Sequence, residues 1–95
     1  MPMESQDSFT EITFHYVNGE TESFDLPITP EAFAEQLPDL LNQPWVALHL
    51  LDQTVVVFMA QVLKVEVKPP IPEVQGLGVF SDAQRVTALS RGVKV

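Results

Sequence analysis

Cysteine is absent from the 95-residue sequence. Its absence excludes disulfide bonds, thiolate metal ligands and a cysteine nucleophile, and it is compatible with a reducing cytosol. Folding must therefore rely on the burial of apolar side chains, and hydrophobic residues make up 45% of the chain. A chain of this length and composition is expected to form one globular domain with a single modest core.

Basic residues are absent from the first two thirds of the chain. Residues 1–63, the acidic body, contain ten acidic side chains and no lysine or arginine, whereas residues 64–95 contain three acidic and five basic side chains. The two parts carry −10 and +2, which gives the net charge of −8. An acidic body repels a polyanion, and five scattered basic residues form a poor phosphate track, so we expect no nucleic-acid binding.

Long hydrophobic runs are also absent. The longest, VVVFMA at residues 55–60, has the length of a strand and falls far short of the roughly 20 apolar residues that span a bilayer. The opening residues MPMESQDSF lack the basic and apolar regions of a signal peptide. We therefore expect a cytoplasmic protein that does not bind membranes.

A β-hairpin is predicted near the start of the chain. Bulky residues alternate at Ile12, Phe14 and Tyr16, and a second extended run covers residues 21–26. Asn18 and Gly19 between them are typical of a two-residue turn in which both residues have positive φ.

A helix is predicted after the hairpin. Thr29 is a suitable N-cap and Pro30 fits the first helical position. Apolar residues follow at helical spacing on one stripe: Phe33, Leu37, Leu40 and Leu41. Pro38 lies within the stripe and predicts a break or kink, with a short second turn over residues 38–41.

Three further strands are predicted, over residues 45–51, over residues 54–60, and from Gln61 to Val67 or Lys68. Residues 55–59 are apolar on both faces, which favours a central strand covered on one side by the helix and on the other by another segment. The element order is ββαβββ, which predicts an α+β fold with a mainly antiparallel sheet and one packed helix.

The prolines that follow the last strand divide the chain into three parts. We expect a flexible N-terminal tail at residues 1–8, an α+β core domain at 9–68 and a C-terminal arm at 69–95. Ser81 and Gln84 form a capping box and Gly92 fits a C-terminal cap, so a short helix is predicted over residues 82–91. The pair Gly76 and Gly78 is read as a flexible joint, since it lacks the third glycine and the preceding strand of a nucleotide-binding loop.

The arm is the candidate partner-binding segment. It either folds back over the second face of the strand at 55–59 or reaches another chain, and its proline run would suit an aromatic groove or serve as a stiff connector. The candidate partner-binding residues are Pro69, Pro70, Ile71, Pro72, Leu77, Phe80, Arg85, Leu89 and Arg91.

The two histidines provide an alternative. His15 and His49 would lie near carboxylates and could form a ligand site, a metal site or the active site of a small enzyme if their strands paired. No metal-ligand spacing and no nucleophile or phosphate-loop motif accompanies them, so no catalytic residue, cofactor or metal is assigned.

Four segments, FHYVNGETESFDL, PWVALHLLDQTVVV, VLKVEVKPPIP and GVFSDAQRVTALSRG, resemble a family of small conserved cyanobacterial proteins of unknown function. The resemblance covers residues 14–92. It implies a bacterial cytoplasm and carries over no functional residue. From the residues themselves we expect a small non-enzymatic protein-interaction module, or a regulatory or structural one, that binds another protein or a second copy of itself as a homodimer.

Overall fold

The computed structural model of the protein describes residues 9–87. Their elements are β1 (Thr10–Tyr16), β2 (Thr21–Leu26), α1 (Pro30–Leu41), β3 (Trp45–His49), β4 (Thr54–Phe58), a 3₁₀ turn (Met59–Gln61) and β5 (Val62–Lys68). The fold is α+β, with antiparallel strand pairs and one helix among these residues. The predicted flexible tail at residues 1–8 lies outside the described residues.

The strands of residues 9–87 form two sheets, where the sequence predicted one. The first has the order β2–β1–β5 and the second consists of β3 and β4. The central strand of the larger sheet is β1, and the prediction that residues 55–59 form a central strand is wrong. Apolar side chains on both faces of β4 do not ensure that both faces are covered, because coverage depends on which elements pack there.

The turn between β1 and β2 differs from the predicted two-residue turn. Gly19 has φ +93°, whereas Asn18 does not have positive φ. The Gly19 N–H donates to the Tyr16 carbonyl at 3.0 Å, and the Tyr16 N–H donates to the Glu20 carbonyl at 2.9 Å. This is a three-residue loop with a left-handed glycine, in which the Asn18 side-chain oxygen accepts the Glu20 N–H at 3.0 Å.

Helix α1 begins as predicted but does not break. Thr29 is the N-cap, and its hydroxyl accepts the Ala32 N–H at 3.2 Å. The helix continues through Pro38 to Leu41. A proline here removes one backbone hydrogen bond, and packing of the stripe that includes Phe33 and Leu37 against the core offsets this loss.

One core joins both sheets and the helix. Its buried members are Ile12, Phe14, Phe33, Leu48 and Val57, from β1, α1, β3 and β4. The rings of Phe14 and Phe24 meet edge to face with centroids 6.1 Å apart. Thr10 is the one buried polar residue within residues 9–87, and its hydroxyl donates to the Ile28 carbonyl at 2.8 Å. The inner faces of both sheets are thus fixed by the same contacts.

The C-terminal arm leaves the sheet after Lys68 through local turns. Val74 donates its N–H to the Ile71 carbonyl at 3.1 Å, and Val79 donates to the Gly76 carbonyl at 3.1 Å. Residues 82–87 contain no helix, so the first part of the helix predicted at 82–91 is wrong, and residues 88–91 lie outside the described residues. Asp82 has φ +61°, which is incompatible with a helical first turn, and so short a helix is marginal without a surface on which to pack.

Candidate functional site

The outer face of the β3–β4 hairpin is an exposed apolar surface. Antiparallel pairing places Trp45 opposite Phe58, Ala47 opposite Val56 and His49 opposite Thr54. Trp45 is 52% exposed, Val56 45% and Phe58 60%. Side chains on one face of a strand alternate with those on the other, so these six residues form one face. We call it the hairpin outer face.

The opposite face of the same hairpin is anchored in the core. Leu48 and Val57 are buried, and Val46 and Val55 pack against the same cluster. Burial of these side chains fixes the register of the hairpin, because a shift by one residue would exchange its two faces. The hairpin outer face therefore points away from the protein.

The hairpin also has two unpaired edges within the described residues. Neither β3 nor β4 pairs with a third strand there. The Leu50 N–H donates to the Gln53 carbonyl at 2.7 Å and the Met59 N–H donates to the Pro44 carbonyl at 3.0 Å, which closes the hairpin at both ends. Backbone groups along an unpaired strand edge can hydrogen-bond to an added strand.

A groove lies beside the hairpin, where the C-terminal end of α1 meets β3. Its volume is about 420 Å³. Its lining comprises two glutamines, one aspartate, one tryptophan and two aliphatic residues: Gln36, Asp39, Leu40, Gln43, Trp45 and Val46. Trp45 belongs to both the groove and the hairpin outer face, so the two features are continuous.

The outer face of the three-stranded sheet is polar. Three cross-strand rows follow from the register, and their members are Asp25, Glu11 and Lys68; Ser23, Thr13 and Glu66; and Thr21, His15 and Lys64. The hydroxyls of Thr13 and Ser23 are 2.7 Å apart. This face carries charges of both signs: they alternate along β5, while Glu11 lies between Asp25 and Lys68. Such a polar face is typical of a solvated sheet surface.

His15 and Glu66 form an ion-pair-like contact on this polar face. The His15 Nε2 and the Glu66 Oε1 are 2.7 Å apart. An ionised carboxylate can only accept, so the imidazole N–H donates. This hydrogen bond lowers the pKa of the Glu66 carboxyl below its usual 4.5, and the positive charges of Lys64 and Arg85 act in the same direction.

Tyr16 lies at the end of β1. Its hydroxyl donates to the Glu22 carboxylate at 2.6 Å. Partial burial, together with the hydrogen bond to Glu22 and the negative charge of that carboxylate, raises the pKa of the Tyr16 phenol to about 12. The phenol therefore remains protonated at neutral pH and acts as a donor that holds β1 and β2 together.

The two histidines do not come together as the alternative prediction required. β1 pairs with β2 and β5, and β3 pairs with β4, so His15 and His49 lie in different sheets. The His49 Nδ1 is 2.9 Å from the Thr54 hydroxyl. Within residues 9–87, no three His, Asp or Glu side chains are placed to share a metal ion.

The predicted partner-binding residues are dispersed along the arm. Ile71 packs against the core, while Leu77 is fully exposed and Phe80 is 84% exposed. The exposed residues of the set are Pro69, Pro70, Pro72, Leu77, Phe80 and Arg85. Pro70, Ile71, Pro72 and Phe80 line a second groove of about 320 Å³. Leu89 and Arg91 lie outside the described residues.

Sequence reasoning missed the hairpin outer face. The sequence pattern predicts that residues 55–59 are covered on both faces, whereas Val56 and Phe58 are exposed. One sequence signal of this surface was available: residues 55–59 are apolar on both faces. If only one side of the hairpin is covered, an apolar face is left exposed. The groove could not be predicted from the sequence either, because it is lined by residues of two separate elements, α1 and β3, which only the fold brings together.

No match was found when the chain was compared with protein-family models, with curated proteins and with solved structures. The resemblance to a cyanobacterial family therefore stays a prediction. Among the described residues no helix is both long and apolar enough to cross a membrane. The fold and the exposed surfaces define this chain as a small α+β protein with an apolar hairpin face.

Proposed function

We propose that this chain is a small non-enzymatic protein-interaction module whose partner packs on the hairpin outer face. The exposure of Trp45, Val56 and Phe58, each about half accessible, carries the proposal. Contiguous exposed apolar side chains on a small domain mark interaction surfaces. Tryptophan is also among the residue types most enriched in binding hot spots.

The unpaired edges of the hairpin add to this support. A partner strand could hydrogen-bond along β3 or β4 while its side chains pack beside the exposed aromatic rings. Main-chain hydrogen bonds would supply affinity, and the apolar face would supply specificity. The core contacts of Leu48 and Val57 keep the hairpin fixed, so a partner would meet a preformed surface.

A ligand or metal site built on His15 and His49 has less support, because the imidazoles lie in different sheets. The predicted cytoplasmic location and the absence of an enzymatic activity remain parts of this proposal, as does a regulatory or structural role.

The partner can also be a second copy of the chain. The ten residues of β3 and β4 include no Lys, Arg, Asp or Glu, so two hairpin outer faces can stack without like charges meeting. Each copy carries a net charge of −8, and salt screens that repulsion. Self-association through the hairpin should strengthen with salt, whereas docking of the basic arm on the acidic body should weaken. Sedimentation velocity at low and high salt distinguishes the two.

The test of the interaction surface is affinity capture with the tagged full chain. Phe58→Ser removes an exposed ring and should abolish retention of the specific partner, or dissociate a dimer of the chain. Leu63→Ser is the matched control, since Leu63 is an exposed apolar residue on β5, outside the hairpin. Circular dichroism must first show that both variants fold. Equal retention by Phe58→Ser and the unaltered chain would contradict the proposal.

A further inference from the structure

We infer that the groove between the end of α1 and β3 binds a basic side chain, arginine in preference to lysine, of the partner protein. This inference rests on the proposed function and names the chemistry of the partner at a place adjoining the hairpin outer face. Two features of the groove favour a cation: the C-terminal end of α1 with the acidic residue Asp39, and the exposed Trp45.

The first feature is the negative end of α1, which faces the groove on one side and Lys64 of β5, beside Leu41, on another. Helix α1 runs from Pro30 to Leu41 and has no basic residue in its last turn. Backbone dipoles place a partial negative charge at the C-terminal end of a helix, where a cation is stabilising. Asp39 adds a full negative charge at the same end, which is the unfavourable sign for that position. A bound cation would compensate both charges.

The second feature is the half-exposed indole. Trp45 lines the groove and is 52% exposed. Tryptophan is the aromatic side chain that attracts cations most strongly through its ring face. The guanidinium group of arginine is planar, stacks on aromatic rings and can contact a carboxylate through parallel N–H groups on two nitrogen atoms, whereas the ammonium of lysine is a compact point charge. Trp45 and Asp39 therefore favour arginine.

The remaining lining residues suit the rest of such a side chain. Leu40 and Val46 are partly buried and contact the core, so they provide an apolar base for methylene groups. The Gln43 side-chain amide donates to the Asp39 backbone carbonyl at 3.3 Å. The oxygen of the same amide can accept an N–H from a bound side chain.

The charge of the acidic body favours a basic partner segment. Residues 1–63, which contain the whole groove, carry ten acidic side chains and no lysine or arginine. A negative field of this kind raises the association rate of a positively charged segment and disfavours an acidic one. The occupant is thus a partner segment in which an arginine follows or precedes apolar residues, with the apolar residues on the hairpin outer face.

The test is a nuclear magnetic resonance titration of the isotope-labelled full chain with N-acetyl-arginine methylamide. The chain has a single tryptophan, so its one indole N–H signal reports on the groove. We expect a saturable shift of that signal and of the side-chain amides of Gln36 and Gln43. The corresponding citrulline compound, which is neutral and nearly the same shape, should produce no saturable shift.

Asp39→Asn should weaken arginine binding by about 1.4-fold to fivefold, the range of an exposed ion pair. Glu35→Gln is the matched control: it removes the same charge one turn earlier on α1, outside the groove lining, and should leave binding nearly unchanged. Added salt should weaken binding. A stronger response to the lysine analogue would overturn the preference for arginine.

Equal binding of citrulline, or equal binding by Asp39→Asn, would overturn the cation site. Such a result would leave the proposed function intact if Phe58→Ser still abolished partner capture, because Phe58 does not line the groove. If Phe58→Ser left partner capture unchanged while the arginine compound still bound, the proposed function would be contradicted and the cation site would stand. The two experiments therefore fail independently.

Discussion

At the scale of single residues, side-chain hydrogen bonds connect neighbouring strands on the polar face of the three-stranded sheet. His15 reaches diagonally from the row it shares with Lys64 to Glu66 on the neighbouring row. Antiparallel pairing brings these residues together although 51 positions separate them along the chain. The contact links β1 to β5 on the solvated side, while Phe14 links β1 to the core on the other.

Acid should weaken this link in a defined pH range. The pKa of Glu66 is lowered in the folded protein from the usual 4.5. Its ionised form therefore contributes stability above about pH 4.5, and that contribution is lost as the pH falls through the lowered folded-state pKa. Glu66→Gln removes the titration, so the difference in melting temperature between the unaltered chain and the variant should shrink on acidification.

Melting temperatures followed by circular dichroism from about pH 7 to about pH 3 check this expectation. Glu35→Gln is a suitable comparison because Glu35 lies exposed on α1, away from the sheet. A difference between the unaltered chain and Glu66→Gln that stays constant with pH would contradict the role of the His15 contact.

At the scale of elements, local sequence signals located nearly every strand and the helix. Capping and proline rules predicted the helix start at Thr29 and Pro30 and an end of the last strand at Val67 or Lys68, and β5 ends at Lys68. These signals work because they act between residues close in the chain. The path through Pro38 could not be predicted, since contacts of Phe33 and Leu37 with distant residues decide whether a helix continues past a proline.

Pro38 is expected to cost stability where it stands. Replacing it by alanine restores a donor for the Ala34 carbonyl, and Pro38→Ala should raise the free energy of unfolding by up to about 3 kcal/mol. Urea denaturation measures the change. Pro27→Ala, in the exposed loop before α1, should show no such gain. A loss of stability in Pro38→Ala would mean that the proline fixes the end of the helix that lines the groove.

At the scale of the whole molecule, the arm divides into a packed part and an exposed part. Ile71 contacts the core cluster, whereas Leu77 is fully exposed. The second face of residues 55–59, which the fold-back interpretation expected the arm to cover, is exposed at Val56 and Phe58. That interpretation is therefore wrong for this face, and the contact of Ile71 is with the core instead. Its proline segment extends the core, and its later described residues remain accessible.

Alanine substitutions separate these two parts. Ile71→Ala should lower the free energy of unfolding by about 1–2 kcal/mol, less than a fully buried isoleucine because Ile71 is only half-buried. Leu77→Ala should change it by less than about 0.5 kcal/mol, as expected for an exposed position. Urea denaturation of both variants measures the difference. Equal changes in the free energy of unfolding for the two variants would contradict the division of the arm into a packed and an exposed part.

The sequence by itself determined the α+β class, the identity of most elements and the division of charge between the acidic body and the rest of the chain. These properties depend on composition and on neighbours a few positions apart. Tertiary structure decided that the strands form two sheets, that Trp45 and Phe58 lie exposed and that Asp39 and Trp45 line one groove. Each depends on which distant segments pack together, and an apolar strand has the same sequence pattern whether one of its faces is covered or both are.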